Sequence, residues 1–342
     1  MKGGKKLGSD DNNNSVHGPE AFMRAMRDAG IEPPNVILAD GTLHRFHVSD
    51  DKPRSENGWY VFFDNGITAG SFGSWKLGIS ETWSAKEYRS LTPKERASNA
   101  AHMARIRKQR DAVQAEMYAE CRLKSKNLWE KAHDVDVKHP YIAAKGIKAV
   151  GIKQLTDMLL IPVRDYAGTL HGLQFVKPDG SKKFKTGTSM NGNFCCIRGD
   201  KSGPVLICEG YATGATLAEA TGYSVAVAFN AGNLALVANL LRRKLPKRKI
   251  IICADDDRWT EGNPGVTKAT VAAVEARAFL AIPKFNDIET RPTDVNDLCK
   301  LEGIGAVLSC IEDAVYCRVV VTGDAALAKM GLLEKAGEFV SA

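Results

Sequence analysis

The chain has 342 residues, which is enough for two or three domains with sizeable cores, and its 44% hydrophobic and 25% charged residues are typical of a globular protein. An excess of Lys and Arg over Asp and Glu gives a formal net charge of +7, which favours a polyanionic partner. Residues 1–6 lack the apolar core of a signal peptide and no apolar run is long enough to span a bilayer, so we expect no membrane contact and a cytoplasmic location.

The usual zinc-binding patterns of Cys and His are absent from the sequence. Eight cysteines are scattered and none forms a Cys-x-x-Cys pair, which favours reduced thiols. His44 and His47 have a spacing that fits no familiar zinc pattern, and no cysteine lies near them in the sequence. We therefore predict no zinc site.

The segment 1–34 is predicted to hold a tail and a short helix. Residues 1–18 are rich in Gly, Asn and Lys, a composition that indicates disorder. Pro19–Ala29 has the spacing of an amphipathic helix. We expect this helix to end at Gly30, because glycine readily adopts the left-handed conformation that follows a helix.

Residues 35–83 are predicted to form a small β-rich module. Leu43–Val48 alternates between apolar and polar side chains, and residues 57–58 and 64–66 have the composition of turns. Three aromatic residues of the module either stack on single-stranded bases or form the core of a small sheet: Trp59, Phe72 and Trp75. We favour the core, because aromatic side chains dominate small β cores.

Residues 84–136 are predicted to be a basic helical region. Ser84–His133 is rich in Ala, Lys, Arg and Glu, and its basic residues outnumber its acidic ones. Such a surface is either a solvated helix face or a path for nucleic acid, and the sequence leaves both open.

Residues 137–202 are predicted to form a basic subdomain of mixed α+β structure. Turn signals at 165–168 and 178–180 separate its predicted strands. Lysines cluster around the second turn: Lys177, Lys182, Lys183 and Lys185. A basic cleft that faces an acidic metal site binds phosphates and neutralises the charge that develops in a polyphosphate reaction.

Residues 203–312 alternate short apolar runs with helical patterns, which predicts a parallel-sheet α/β domain. Val205–Cys208 and Ile250–Cys253 are predicted strands, and carboxylates follow them: Glu209, Asp255 and Asp257. Because ligands bind at the carboxyl ends of strands in such sheets, we expect these acids to converge at one edge. Clustered carboxylates repel one another unless a cation lies among them, so the sequence predicts a site for Mg²⁺ or Mn²⁺.

The remaining elements of this domain are predicted as helices Tyr211–Thr221 and Gly232–Arg243, a helix from Val266, and strands Ser224–Phe229 and Leu280–Ile282. The basic segment 242–249 lies at a helix carboxyl end, where cations complement the helix dipole, so we expect a peripheral contact at best. The spacing of Gly262, Gly265 and Lys268 does not fit a P-loop. Residues 313–342 are predicted to be a C-terminal tail with an apolar run at Val319–Val321.

Several motifs in order resemble those of Toprim-domain DNA primases of the bacterial type, and are most similar to primases of phages, plasmids and integrated elements. Glu209-Gly210 and Asp255-x-Asp257 resemble the two acidic motifs of the Toprim domain. Three upstream segments resemble the Tyr-Leu-x-x-Arg-Gly, Pro-Ile-Arg-Asp and Lys-Tyr motifs of replicative primases: residues 139–147, 161–172 and 182–185. The resemblance implies an α/β fold, a Toprim-like parallel-sheet domain preceded by a mixed α+β basic subdomain and a small β-rich N-terminal module.

The resemblance also implies roles for individual residues. Glu209, Asp255 and Asp257 would hold the metal, Asp294 or Asp297 would complete the acidic cluster, and Lys183 would join them as a catalytic residue. Nucleic acid and nucleotide phosphates would contact eight residues: Lys145, Arg164, Lys177, Lys182, Lys183, Lys185, Arg258 and Lys268. Thr213 departs from the family pattern, because replicative primases carry an acid at this place, so a ligand for a further metal is expected to be missing.

The function implied by the resemblance is template-directed synthesis of short RNA primers on single-stranded DNA by two-metal nucleotidyl transfer. The expected partners are a single-stranded DNA template, nucleoside triphosphates and a separate replicative helicase. The zinc ribbon of replicative primases has no counterpart in the sequence, so another protein is expected to supply its role, or start-site choice or the activity itself differs. Two alternatives remain open, a Toprim-type nuclease and a non-catalytic nucleic-acid-binding replication accessory protein.

Overall fold

The computed structural model describes residues 17–49, 56–64, 68–75, 77–85 and 92–317. Three sequence predictions lie outside these residues: the tail before residue 17, the turn residues 65–66, and the C-terminal tail beyond Cys317 with its apolar run. The chain divides into two compact units, Met1–Glu116 and Met117–Ala342. Among the described residues, no helix combines the length and the apolarity that crossing a membrane requires.

The first unit contains a short helix and an antiparallel sheet. The helix α1 spans His17–Asp28, which confirms the predicted helix. The sheet has the order β1-β2-β3-β4, with strands β1 (His44–Phe46), β2 (Gly58–Phe63), β3 (Ala69–Ser74) and β4 (Ile79–Ser84). The chain leaves the helix as expected, because Gly30 has a left-handed φ of 77° and its N–H bonds to the carbonyl of Arg27 at 2.8 Å.

Aromatic side chains fill the core of this unit. Phe22 of α1 packs edge-on against Phe72 of β3, with ring centroids 5.4 Å apart. Trp59 and Phe72 are only 1% and 2% exposed. The core role that we favoured is therefore confirmed for these two residues, and base stacking by them is excluded. Trp75 is half-buried, and its ring lies 6.2 Å from that of Trp59.

Two local predictions in this unit are wrong. Gly58 is not in a hairpin turn but opens β2 opposite Phe46, where a Cβ would lie 2.7 Å from the Phe46 ring. Ser84 does not begin a helix but ends β4, and the long helix α2 spans Pro93–Lys131. His44 Nε2 pairs with the Asp40 carboxylate at 2.9 Å.

The second unit begins with the end of α2 and a second antiparallel sheet. Its elements are α3 (Pro140–Lys145), β5 (Lys153–Leu155), β6 (Met158–Arg164), β7 (Leu170–Val176) and β8 (Lys182–Phe184). The strand order is β5-β6-β7-β8, so the lysines of β8 lie on an edge strand. Trp129 and Leu128 of α2 pack against Leu160 and Leu173.

The same unit contains a six-stranded sheet between two helical layers. The strands are β9 (Cys195–Ile197), β10 (Asp200–Cys208), β11 (Tyr223–Val227), β12 (Ile250–Cys253), β13 (Phe279–Ala281) and β14 (Val315–Tyr316), in the order β14-β13-β12-β10-β11-β9. The four central strands are parallel and the two edge strands are antiparallel to them. The helices are α4 (Tyr211–Thr221), α5 (Ala231–Lys244), α6 (Pro264–Ala276) and α7 (Val295–Glu312).

Two apolar clusters hold this sheet between its helices. One contains residues of α4 and α7, and the other contains residues of α5 and α6, so each face of the sheet carries one helix pair. The β-branched runs of β10 and β12 are buried on both faces, as is usual for parallel strands. The predicted α/β class is confirmed. The edge strands β9 and β14 were not predicted.

Two arginines of the basic segment 242–249 bind backbone carbonyls. The guanidinium of Arg242 donates to the carbonyls of Ala276 at 2.8 Å and Arg248 at 2.8 Å. Arg248 in turn donates to the carbonyl of Gly203 at 2.7 Å. These two arginines therefore close the end of the sheet opposite the predicted acidic edge.

Candidate metal and nucleotide site

Strand order brings the predicted acids to one edge. β10 and β12 are parallel neighbours, with Ile207 opposite Ile252. Their carboxyl ends therefore meet at the same edge, where Glu209 follows β10 and Asp255 follows β12. The N–H of Phe229 donates to the carbonyl of Glu209 at 2.9 Å, and Phe229 has a left-handed φ of 72°. Backbone strain of this kind is commonly found at functional sites.

Glu209 and Asp255 each keep a buried carboxylate oxygen that has no hydrogen-bond donor among the described residues, Oε1 and Oδ1 respectively. Burial raises the pKa of Glu209, and the charge of Asp257 adds to this. The pKa of Asp255 rises to about 8, because of burial first and then the charges of Glu209, Asp294 and Asp257. A hydrogen bond from the Ala231 N–H and the charge of Lys268 oppose the shift of Glu209.

The three consecutive aspartates have different surroundings. Asp256 is 5% exposed and fully bonded, because it pairs with Arg258 and accepts from Asn263 Nδ2 at 2.8 Å. Asp257 Oδ2 accepts from the Gly265 N–H at 3.0 Å. Gly265 must be glycine here, since a Cβ would lie 2.2 Å from the Asp255 carbonyl. Asp256 thus fixes the loop, while its two neighbours face the acidic edge.

Asp294 and Asp297 form a reciprocal cap at the start of α7. Asp294 Oδ1 accepts from the Asp297 N–H at 2.8 Å, and Asp297 Oδ2 accepts from the Thr293 N–H at 3.1 Å. This resembles a capping box, except that the second aspartate accepts from the residue before the N-cap and not from the N-cap itself. Asp297 also pairs with Lys145 at 3.8 Å. Asp294 contributes charge to the site, whereas Asp297 is occupied by the cap and by Lys145.

Three of the predicted lysines lie around the carboxylates. Lys182 keeps contact with solvent, yet surrounding protein lowers its pKa. Lys145 pushes this pKa in the same direction, whereas Asp294 and Asp255 oppose it. Lys268 is close enough to Glu209 to lower the pKa of that carboxyl. Because side chains alternate along a strand, Lys183 projects from the face of β8 opposite to Lys182.

The other predicted basic residues have different neighbours. Arg164 donates to the Gly168 carbonyl at 2.8 Å and lies 5.3 Å from the centre of the Trp129 ring. Lys177 is exposed at the turn after β7, and the charge of Lys185 acts on Glu120 of α2. Arg258 pairs with Asp256. Thr213, which stands where replicative primases carry an acid, is 1% exposed within α4.

One buried residue of the site was not singled out in the sequence analysis. Tyr141 is 4% exposed, and its hydroxyl has no hydrogen-bond partner among the described residues. Burial and the charge of Asp294 raise its pKa to about 12. The sequence signal for this position was His139-Pro140, because a residue pair of this kind marks the start of a helix. In the structure His139 Nδ1 caps α3 by accepting from the Tyr141 N–H.

The carboxylates fit a divalent cation without forming its complete ligand set. Within the described ranges, no three His, Cys, Asp or Glu side chains already stand close enough to enclose a metal ion. Mg²⁺ does not require such a cage, because it usually keeps several waters and takes one or two carboxylates together with substrate phosphates. The oxygens of Glu209 and Asp255 that lack a donor among the described residues supply such a pair, and the pKa values of both groups are raised by burial first and then by neighbouring negative charge, which a cation would neutralise.

Comparison with known protein families identifies the central part of this unit. Residues 203–279 match the family model described as the Toprim domain. The chain therefore contains a Toprim domain, and this domain includes Glu209, Asp255 and Asp257.

Two curated relatives from Escherichia coli are both named DNA primase TraC. One is 34% identical over 295 residues, which cover 81% of this chain and 20% of the relative. The other is 34% identical over 260 residues, which cover 72% of this chain and 24% of the relative. The chain thus spans about a fifth to a quarter of the length of the curated relatives it matches.

Solved structures also show partial similarity. The primase fragment of the bacteriophage T7 primase-helicase protein aligns with a TM-score of 0.37 and 15% identity, over 53% of this chain and 78% of that chain. The DnaG primase catalytic domain bound to ssDNA aligns with a TM-score of 0.35 and 18% identity, over 59% of this chain and 72% of that chain.

Proposed function

We propose that this chain is the catalytic part of a DNA primase, which makes short RNA primers on single-stranded DNA in the replication of a phage, plasmid or integrated element. The observation that carries this proposal is the pair of buried carboxylate oxygens of Glu209 and Asp255 inside the Toprim domain, neither of which has a hydrogen-bond partner in the part of the chain that the structure describes. The similarity to relatives named DNA primase supports it, because that similarity covers 81% of the chain and extends well beyond residues 203–279.

Glu209, Asp255 and Asp257 would hold Mg²⁺ or Mn²⁺, with Asp294 completing the negative charge of the site. When bound, the metal would lower the pKa of the primer 3′-hydroxyl and neutralise charge on the leaving pyrophosphate. The protein's own contribution is positional. Parallel strands fix the two acids at one edge, and the Asp256 pair with Arg258 fixes the loop that carries Asp257.

Lysines opposite the carboxylates would receive the nucleotide phosphates. Burial lowers the pKa of Lys182, and repulsion from Lys145 adds to this shift. A polyphosphate between them would relieve this repulsion, because cations bind phosphates as point charges. Lys268 would act beside Glu209, and Lys183 would keep the catalytic role that its motif implies.

The expected partners follow from the reaction. A template-directed RNA synthesis needs single-stranded DNA and nucleoside triphosphates, and the net charge of +7 suits both polyanions. We further propose that a separate replicative helicase presents the template.

The test is primer synthesis by the purified chain on circular single-stranded DNA with labelled ribonucleotides and Mg²⁺ or Mn²⁺. The control is the double variant Asp255→Ala/Asp257→Ala. We expect short labelled oligomers from the wild type and a loss of at least about 100-fold in the variant, since metal-ion catalysis contributes several kcal/mol. Cleaved DNA without oligomers would instead indicate a nuclease, and DNA binding without either product would indicate an accessory protein.

A further inference from the structure

An exposed tryptophan lies two residues beyond the acidic motif. Trp259 is 44% exposed, which is unusual for so large an aromatic side chain. It occupies a tight turn in which the Thr260 N–H donates to the Asp257 carbonyl at 2.8 Å. The indole is thus attached directly to the loop that carries one of the proposed metal ligands.

The loop that carries Trp259 is fixed at several points. Asn263 Nδ2 donates to Asp256 Oδ1 at 2.8 Å, and the Gly265 N–H donates to Asp257 Oδ2 at 3.0 Å. Thr267 Oγ1 donates to the Gly262 carbonyl at 2.8 Å. A ring on such a loop offers a binding surface whose ordering costs little on association, because the backbone is already held.

A cation from the neighbouring loop accompanies the ring. The Arg291 guanidinium lies 5.6 Å from the centre of the Trp259 ring. Arg291 follows β13 in the chain and Trp259 follows β12, and the Asp256 N–H joins the two loops by donating to the Thr293 carbonyl at 2.7 Å. Arg291 is exposed and has a left-handed φ of 54°, a conformation that is uncommon for a residue other than glycine.

We propose that Trp259 and Arg291 form a contact site for single-stranded DNA beside the acidic edge, in which one unpaired base stacks on the indole and Arg291 binds an adjacent phosphate. Aromatic rings with flanking cations are the chemistry by which proteins bind single strands without reading sequence. The inference rests on the proposed function, and it adds a point at which the template leaves or enters the site. Duplex DNA would not bind in this way, because its bases are not free to stack.

The test measures binding of the full chain to an oligonucleotide that contains 2-aminopurine, whose fluorescence reports stacking. Trp259→Leu should weaken single-strand affinity about 10-fold and abolish the fluorescence change, while Trp259→Phe should retain both in part. Arg291→Gln should lower the salt dependence of binding by about one released counterion, a change that Trp259→Leu should not produce. The matched control is Tyr166→Leu, because Tyr166 is also 44% exposed and also has a cation, Lys244, 5.7 Å from its ring centre, but lies on the β6–β7 turn.

The outcomes separate this inference from the proposed function. If Trp259→Leu binds like the wild type, or if Tyr166→Leu loses as much affinity, the contact site is wrong even where the wild type makes primers. If the wild type binds the strand through Trp259 but makes no primers, the contact site stands and the primase proposal fails. If the wild type binds no single-stranded DNA at all, both fail.

Discussion

Glu209 and Asp255 each keep one buried carboxylate oxygen without a hydrogen-bond partner among the described residues, and after burial the charge of Glu209 contributes most to raising the pKa of Asp255. This pairing is unfavourable in the free protein, because neither oxygen regains the hydrogen bonds it had in water. Parallel neighbouring strands impose it, since their ends cannot separate. The acidic edge is therefore destabilised by repulsion between its carboxylates, and a bound cation would remove this repulsion.

Metal-free protein should lose stability as the pH rises. The pKa of Asp255 is about 8 in the folded protein against an ordinary 3.8, so the folded state holds the proton more tightly than the unfolded state. The stability that this proton contributes is complete below the ordinary pKa and is lost as the pH rises through the folded pKa. Asp255→Asn carries no such charge. At pH 9 and without divalent ions, this variant should exceed the wild type in free energy of unfolding by at least about 1.4 kcal/mol, the equivalent of one pKa unit. Denaturant titrations at pH 5 and pH 9 measure the free energy of unfolding of both proteins. The same change in free energy between the two pH values for the wild type and the variant would contradict the prediction.

Divalent cations should stabilise the wild type through the same carboxylates. A ligand that binds only the folded state adds about 2.7 kcal/mol at a hundredfold excess over its dissociation constant. Mg²⁺ or Mn²⁺ should therefore raise the melting temperature of the wild type at pH 8. Glu209→Gln and Asp255→Asn should remove most of that increase. An equal increase in all three proteins would place the cation elsewhere.

Substitution of Asp256 should lower the stability of the protein, whereas substitution of its neighbour Asp255 should raise it. Asp256→Ala removes the acceptor of Arg258 and Asn263, and because the carboxylate is buried while the guanidinium is partly exposed, we expect a loss of about 1–3 kcal/mol. Thermal unfolding should therefore show a large loss for Asp256→Ala in the same buffer where Asp255→Asn gains stability. A mild effect at Asp256 would mean that the loop does not depend on this pair.

The acidic edge could be predicted because strand boundaries are visible in the sequence. Val205–Cys208 and Ile250–Cys253 are β-branched runs with sharp ends, and the structure has strands ending at the same residues. The choice of Asp255 and Asp257 over Asp256 came from the resemblance to the Toprim motif and not from the residue pattern alone, since the direction of the Asp256 side chain depends on Asn263 and Arg258 in the following loop.

Other features were hidden because they depend on tertiary contacts. No residue of the strand β4 is fully buried, and three of its six residues are exposed, so its apolar pattern is weak. The Asp-x-x-Asp spacing of Asp294 and Asp297 before a helix is compatible with a cap as well as with metal binding, and the contacts of the folded chain are needed to show the cap. Trp59 illustrates the reverse case, because composition alone favoured the buried role that the structure confirms.

Substitutions of Lys182 and Lys183 should affect different quantities, the first the pKa of Asp255 and nucleotide binding, the second the turnover rate. Lys182 lowers the pKa of Asp255, so Lys182→Met should raise that pKa further and increase the Michaelis constant for nucleotides. Lys183 lies on the other face of β8, so Lys183→Met should leave the Asp255 pKa unchanged and, if its motif role holds, lower kcat. Carboxyl carbon NMR titration and steady-state primer synthesis measure the two effects. Identical profiles for both variants would contradict the division between the faces.

Asp294 should show two roles that a pair of substitutions can separate. Asp294→Ala removes both the helix cap and the negative charge, whereas Asp294→Ser keeps a capping oxygen and removes only the charge. We expect Asp294→Ala to lose about 1 kcal/mol of unfolding free energy and Asp294→Ser to lose little, since serine caps helices nearly as well as aspartate. Both should lower the pKa of Asp255, because Asp294 is one of the charges that raise it. If Asp294 completes the cation site, both variants should need more Mg²⁺ for primer synthesis. Full activity of Asp294→Ser at low Mg²⁺ would leave Asp294 with a capping role alone.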